Sequence, residues 1–243
     1  MGKQASTFVS TGAKAQTLSE KLSSVKTKQE WDALLDQLPT ADYNAPEPND
    51  PETRDRRRVR NSRYDKREVV DKNSDTSITL TQVHYEGEER WPLPTNESDV
   101  VVVGEVQGRQ SYLSNDKSGV YTEFSVSVGE VLKGDPAQIN RGVTITASRA
   151  GGVVRYPDGH KRLYLVSGGG LPLDGGQCVL FLKANGQDQD YSILTMYQLG
   201  LDDVVPIDEG RQFEAYRGQK KSEFIKTIRD KIAKPPQLTP RKG

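Results

Sequence analysis

The 243-residue sequence has little of the side-chain chemistry on which most catalytic and metal sites depend: it contains one cysteine and two histidines. A single cysteine, Cys178, excludes an intramolecular disulfide and any multi-cysteine zinc or iron–sulfur site. It lies in the apolar run Gly176-Gln-Cys-Val-Leu-Phe-Leu182, the setting of a buried small hydrophobe rather than of a reactive thiol. No run approaches the length needed to cross a bilayer, and residues 1–30 contain no continuous apolar block that would read as a secretory signal. An excess of one charge is also missing. Lys plus Arg and Asp plus Glu number 34 each, so no global field draws the chain to nucleic acid or anionic lipid. A hydrophobic fraction of 33 % beside a charged fraction of 28 % suits a modest globular core with much polar linker.

What is present divides into segments of different composition. Residues 1–26 are Ser/Thr/Ala/Lys-rich and read as disordered or weakly helical. Thr27 and Glu30 have capping-box spacing, and Trp31, Leu34, Leu35 and Leu38 fall on one face, which predicts a helix over 27–39 that Pro39 stops. Residues 40–76 show no hydrophobic period. Pro46, Pro48 and Pro51 precede an arginine-dense stretch, and the segment reads as an extended arm.

Residues 77–210 are strand-rich. Ile78 to Val83 is a short candidate, and the four valines 100–103 read as a strand buried on both faces. Val120 to Val128 alternates cleanly and continues to a Lys133-Gly134-Asp135-Pro136 turn. Strands at 143–147, 177–183 and 191–199 follow, and Pro157-Asp158-Gly159-His160 has the residues of a tight reversal between 153–156 and 162–166. Strands at about ten-residue spacing, with no room for crossover helices, argue for a barrel or sandwich. Phe224, Ile225, Ile228 and Ile232 then mark an amphipathic helix within 211–234, ended by Pro235-Pro236 and followed by a basic tail over 235–243.

Few combinations of residues here carry recognisable chemistry. His84 and His160 are not placed near Cys178 or any particular serine, and His160 reads as a turn residue. Asp188-Gln-Asp190 lacks the rest of a calcium loop. Gly168-Gly-Gly170 and Gly175-Gly176 precede a strand and not a helix, unlike a phosphate-binding loop; the loop between them reads as a flexible connection with an apolar tip at Leu171, Pro172 and Leu173. Arg54, Arg56, Arg57, Arg58, Arg60 and Arg63 form the one local charge anomaly, and Tyr64 beside them would be available to stack on a base.

Four stretches, Ser98-Asp-Val-Val-Val-Val-Gly-Glu-Val106, Tyr121-Thr-Glu-Phe-Ser-Val-Ser-Val-Gly-Glu-Val-Leu-Lys-Gly134, Gly142-Val-Thr-Ile-Thr146 and 176–182, together resemble the cadence of netrin-like domains of bacterial surface proteins. These domains are relatives in fold of the tissue inhibitors of metalloproteinases. The resemblance covers residues 98–199 and implies an oligonucleotide/oligosaccharide-binding (OB) type barrel in an extracytoplasmic setting. With no cysteine before Cys178, the zinc-chelating mechanism of the animal inhibitors does not carry over.

The expected fold is therefore mainly β: a five-stranded Greek-key OB-like barrel with an inserted hairpin, plus N-terminal and C-terminal flanking helices. The expected role is that of a non-catalytic binding module taking an unidentified protein or envelope component, without a cofactor or a metal, through Tyr156, His160, Tyr164 and Leu171. Single-strand nucleic-acid binding through the barrel face and the arginine arm is the alternative, and an uncharacterised hydrolase a third. A leader removed upstream of Met1 would place the chain outside the cytoplasm, and a genuine start there inside it.

Overall fold

The computed structural model describes residues 17–70, 82–85, 90–172, 176–186 and 189–234. Residues 1–16, the expected strand residues 78–81, Leu173, Asp188 and the basic tail 235–243 lie outside the described residues. The described elements run α1 (Leu18–Ser24), α2 (Lys28–Asp36), β1 (Thr40–Asp42), α3 (Pro51–Ser62), β2 (Val69–Val70), β3 (Gln82–Tyr85), β4 (Val100–Leu113) and β5 (Val120–Lys133). They continue with β6 (Thr144–Ala150), β7 (Gly152–Arg155), β8 (Lys161–Val166), β9 (Gln177–Ala184), β10 (Asp190–Leu199), β11 (Val204–Pro206), α4 (Arg211–Glu214) and α5 (Lys221–Ala233).

Five strands close into the expected barrel. β4 pairs antiparallel with β5 and β5 with β6; β6 lies parallel to β10, which pairs antiparallel with β9, and β9 returns to β4. This circuit, β4-β5-β6-β10-β9-β4, is the OB-like order. The inserted hairpin is β7–β8, which interrupts the path from β6 to β9 and joins a second sheet of order β1-β7-β8-β3-β2. β11 extends the barrel sheet beyond β10.

The valine run explains why both faces of β4 are covered. Val100, Val102 and Val106 point into the barrel core with Phe124, Val126 and Leu180, whereas Val101 and Val103 point outward against Phe224, Ile225 and Ile228 of α5. The alternation of a strand delivers successive side chains to opposite faces, so an unbroken apolar run needs two partners. α2 supplies the other cover: Trp31, Leu34, Leu35 and Leu38 join the barrel core, and Thr27 and Glu30 form the expected capping box.

Two segments differ from the sequence expectation. Residues 18–24, expected to be disordered or weakly helical, form α1, whose Thr17 and Glu20 make a second capping box and whose Leu18 enters the core. Within the arm expected to be extended, Pro51–Ser62 is a helix. Asp50 caps it by accepting from the Thr53 amide at 2.8 Å, and Pro51 stands in the first turn, where its missing N–H costs nothing.

The parallel step between β6 and β10 contains a buried ion pair. Their pairing ends at Ser192 opposite Ser148, and a bulge between Ile193 and Thr195 takes Leu194 out of register with β9. The Arg149 guanidinium, next along β6, donates to the Leu194 carbonyl at 3.3 Å, to the Gly170 carbonyl at 2.9 Å and to Asp208 at 2.8 Å. Asp208 also accepts from the Met196 amide at 3.4 Å and from Arg90 at 2.7 Å. The Arg149 and Asp208 side chains are 3 % and 0 % exposed. One carboxylate thus fills the split where the strands diverge. Asp208→Asn, which leaves Arg149 charged and uncompensated in the interior, is expected to cost about 3–5 kcal/mol in urea unfolding; a change below about 1 kcal/mol would show the split to be held by other contacts.

Candidate functional site

The β7–β8 hairpin positions three of the four residues expected to bind a partner. Its reversal closes through Tyr156 N–H to the His160 carbonyl and Gly159 N–H to the Tyr156 carbonyl, both at 2.9 Å, with Gly159 at φ +86°. The turn brings the Tyr156 and His160 rings into parallel stacking, centroids 4.4 Å apart and planes 5° from parallel. Tyr43, which follows β1, stacks on Tyr156 at 5.1 Å, and its N–H donates to the Arg155 carbonyl at 2.9 Å. Across the hairpin the Tyr156 and Tyr164 hydroxyls lie 2.6 Å apart. Burial together with that neighbouring hydroxyl raises the Tyr156 phenol well above its ordinary value.

Cations flank this row of rings. The Lys117 ammonium sits 4.3 Å from the Tyr43 centroid and donates to the Tyr43 carbonyl at 3.1 Å, and the Arg162 guanidinium lies 5.7 Å from the Tyr156 centroid. Asp158 accepts from the His160 amide and bonds its ring Nδ1, contacts that lower the Asp158 carboxyl below the usual range. Tyr43, Tyr156 and Tyr164 are half-buried and His160 is exposed.

Leu171 is not part of that surface. It is 2 % exposed and belongs to the barrel core, so the apolar tip expected at 171–173 is turned inward at Leu171 and Pro172. The segment is pinned: Gly170 presents its carbonyl to Arg149, and Arg109 donates to the Pro172 carbonyl at 3.0 Å. A side chain at Gly170 would meet the Ile207 carbonyl at 2.0 Å. The missing side chain at Gly170 permits this close packing.

The arginine stretch is divided by its helical geometry. Arg57, Arg60, Asn61 and Tyr64 stand at i, i+3, i+4 and i+7 of α3 and its C-terminal turn, one face directed at the barrel. Arg57 donates to Glu123 at 2.5 Å and lies 3.5 Å over the Tyr112 ring, while Arg60 and Arg63 both donate to Asp190, at 3.0 and 2.7 Å. Tyr64 is 5 % exposed, stacks on Tyr121 at 4.2 Å and donates to Ser148 at 3.0 Å, so it is not free to stack on a base. Arg56 and Arg58 face solvent and pair with Glu52 and Glu47, and Arg54 is half-buried. The face was readable from Asp50-Pro51-Glu52, a helix start signal, together with the spacing of 57, 60 and 64. The acceptors Glu123 and Asp190, and the additional ring Tyr43, had no such signal because they come from distant strands and a loop.

α3 itself buries no side chain, so its ion pairs hold it together with the Tyr64 stack at its C-terminal turn. Asp190→Asn is expected to lower stability by about 2 kcal/mol, the scale of charge-assisted hydrogen bonds to a partly buried group. Raising the salt to 1 M should narrow the gap between wild type and variant in urea melts, because the arginine side chains retain 21 and 24 % exposure.

Cys178 is 1 % exposed, and burial pushes its thiol from 9.0 up to about 12. Tyr197, Tyr121 and Tyr64 are raised in the same direction by burial. The folded state holds these protons more tightly than the unfolded chain, so their contribution is complete below the unfolded values and is lost as pH rises. Urea midpoints should therefore fall between pH 9 and about 12. A Cys178→Ala variant should fall less steeply over that interval, and equal slopes would remove the thiol from the account.

No family model matches the chain, and neither a curated protein nor a solved structure matches it.

Proposed function

We propose that the chain is a non-catalytic binding module whose partner-facing surface is the strip formed by Tyr43, Tyr156, His160 and Tyr164, with Lys117 and Arg162 at its margins. The observation that carries this reading is the ordered row of rings on the surface of the second sheet, Tyr43 on Tyr156 and Tyr156 on His160. Tyrosine and arginine dominate the energetics of protein interfaces, where rigid rings bring large contact area at low entropic cost. The resemblance of residues 98–199 to netrin-like domains of bacterial surface proteins favours a partner of the cell envelope. Single-strand nucleic-acid binding through the arginine arm is less favoured, because Arg57, Arg60 and Arg63 are engaged with Glu123 and Asp190. A hydrolase built on Cys178 is disfavoured by the burial of the thiol.

The test is capture from a bacterial envelope extract by the immobilised chain, comparing wild type with the triple variant Tyr43→Ser, Tyr156→Ser, Tyr164→Ser. Loss of a specific partner is expected, with a stability cost of about 1 kcal/mol per stacked ring pair removed. A partner retained undiminished by the triple variant would sink the reading.

A further inference from the structure

Trp91 forms one wall of a small cleft that the aromatic strip does not include. Its side is 58 % exposed to solvent, whereas the other tryptophan, Trp31, is 3 % exposed. Single exposed apolar residues are ordinary on protein surfaces. This one differs in how its backbone is held and in which residues line the cleft with it.

The segment 91–98 is braced at nearly every step. The Trp91 carbonyl accepts from the buried Thr195 hydroxyl at 3.0 Å, and the Pro92 carbonyl from the buried Tyr197 hydroxyl at 2.6 Å. Leu93 is 4 % exposed and anchors the turn in the cluster beneath α5. The Ser98 hydroxyl and amide both donate to the Pro94 carbonyl, and the Lys133 ammonium donates to the carbonyls of Thr95 and Ser98 at 2.7 and 2.6 Å. Pro92 and Pro94 fix two further backbone torsions. The backbone beneath the indole is thus held in place, which lowers the ordering cost of binding to it.

The cleft is about 290 Å³ and is lined by Trp91, Thr95, Asn96, Glu97, Lys231 and Lys234 among others, the lysines coming from the C-terminal end of α5. That volume is at the lower limit for small-molecule sites and admits one ring. Its polar lining residues, Thr95, Asn96, Glu97, Lys231 and Lys234, carry both donors and acceptors. Glu97 offsets one of the two lysine charges, and the C-terminal end of α5 adds the negative end of its dipole, so the lining carries a small net charge. An indole face lining one cleft with a mixed set of hydrogen-bonding residues fits a saturated ring bearing hydroxyls. It fits a phosphate-rich or strongly charged ligand poorly.

We propose that the Trp91 cleft binds a single pyranose ring of a glycan, with the indole stacked on the sugar face and Asn96, Glu97 and Lys231 bonding its hydroxyls. This site is independent of the strip proposed above, and either reading stands without the other.

Intrinsic fluorescence tests the proposal directly, because Trp31 is shielded and Trp91 is not. The full chain is titrated with cellobiose, with glucuronic acid and, as a planar control, with adenosine monophosphate. A saturable shift in emission with cellobiose or glucuronic acid is expected, and the ratio of their affinities tells a neutral glycan from an acidic one. Calorimetry on Trp91→Ala, and on Asn96→Ala as a second variant that leaves the fluorophore in place, should show at least about tenfold weaker binding. Three results would overturn the proposal: neither sugar changes the emission, both variants bind as wild type does, or adenosine monophosphate binds as tightly as the sugars through Trp91.

Discussion

A barrel of this order has to let one strand leave its neighbour. β10 runs parallel to β6 for only three residue pairs before it diverges to pair with β11, and backbone groups at the divergence face the interior. Buried peptide groups without partners are costly, so something polar has to fill the gap. Here it is the Arg149–Asp208 pair, which bonds Leu194, Met196 and Gly170 as well as itself. Gly170 lies on the path from the inserted hairpin to β9, and Thr195 and Tyr197, just past the bulge, hold the 91–98 segment. The ion pair therefore supports the closure, the return from the hairpin and, at one remove, the base of the Trp91 cleft.

Around this centre the connecting segments act as covers rather than linkers, each held by a different force. α2 is held by an apolar face that joins the barrel core, and α5 by one in the cluster outside the valine run. α3 has no buried side chain and is held by three arginines on two carboxylates and by the Tyr64–Tyr121 stack. A helix held in this way is sensitive to salt where the others are not. Its arginines are spent on contacts within the fold.

Much of this was legible from pattern. Strand alternation gave the barrel, the capping box at Thr27 and Glu30 gave α2, and the apolar setting of Cys178 gave its burial. The hairpin turn gave the neighbourhood of Tyr156, His160 and Tyr164. α3 was obscured because three prolines and a dense run of like charge hide a helix with no apolar period, although its start signal at Asp50-Pro51 was present. Leu171 was misplaced because a glycine-rich loop with an apolar residue looks the same whether it projects or packs; only the carbonyl of Ile207, 2.0 Å from where a side chain at Gly170 would begin, decides for packing.

The sequence by itself determined the extended segments, their two-sided burial at residues 100–103 and the local turns and caps, because these depend on neighbours one to four residues away. Only the tertiary structure decided which charges pair and which rings stack. Arg60 and Asp190 are 130 residues apart, and Tyr43 reaches Tyr156 through the parallel pairing of β1 with β7. Contacts of that range are set by how the strands close, and a linear pattern carries no record of closure.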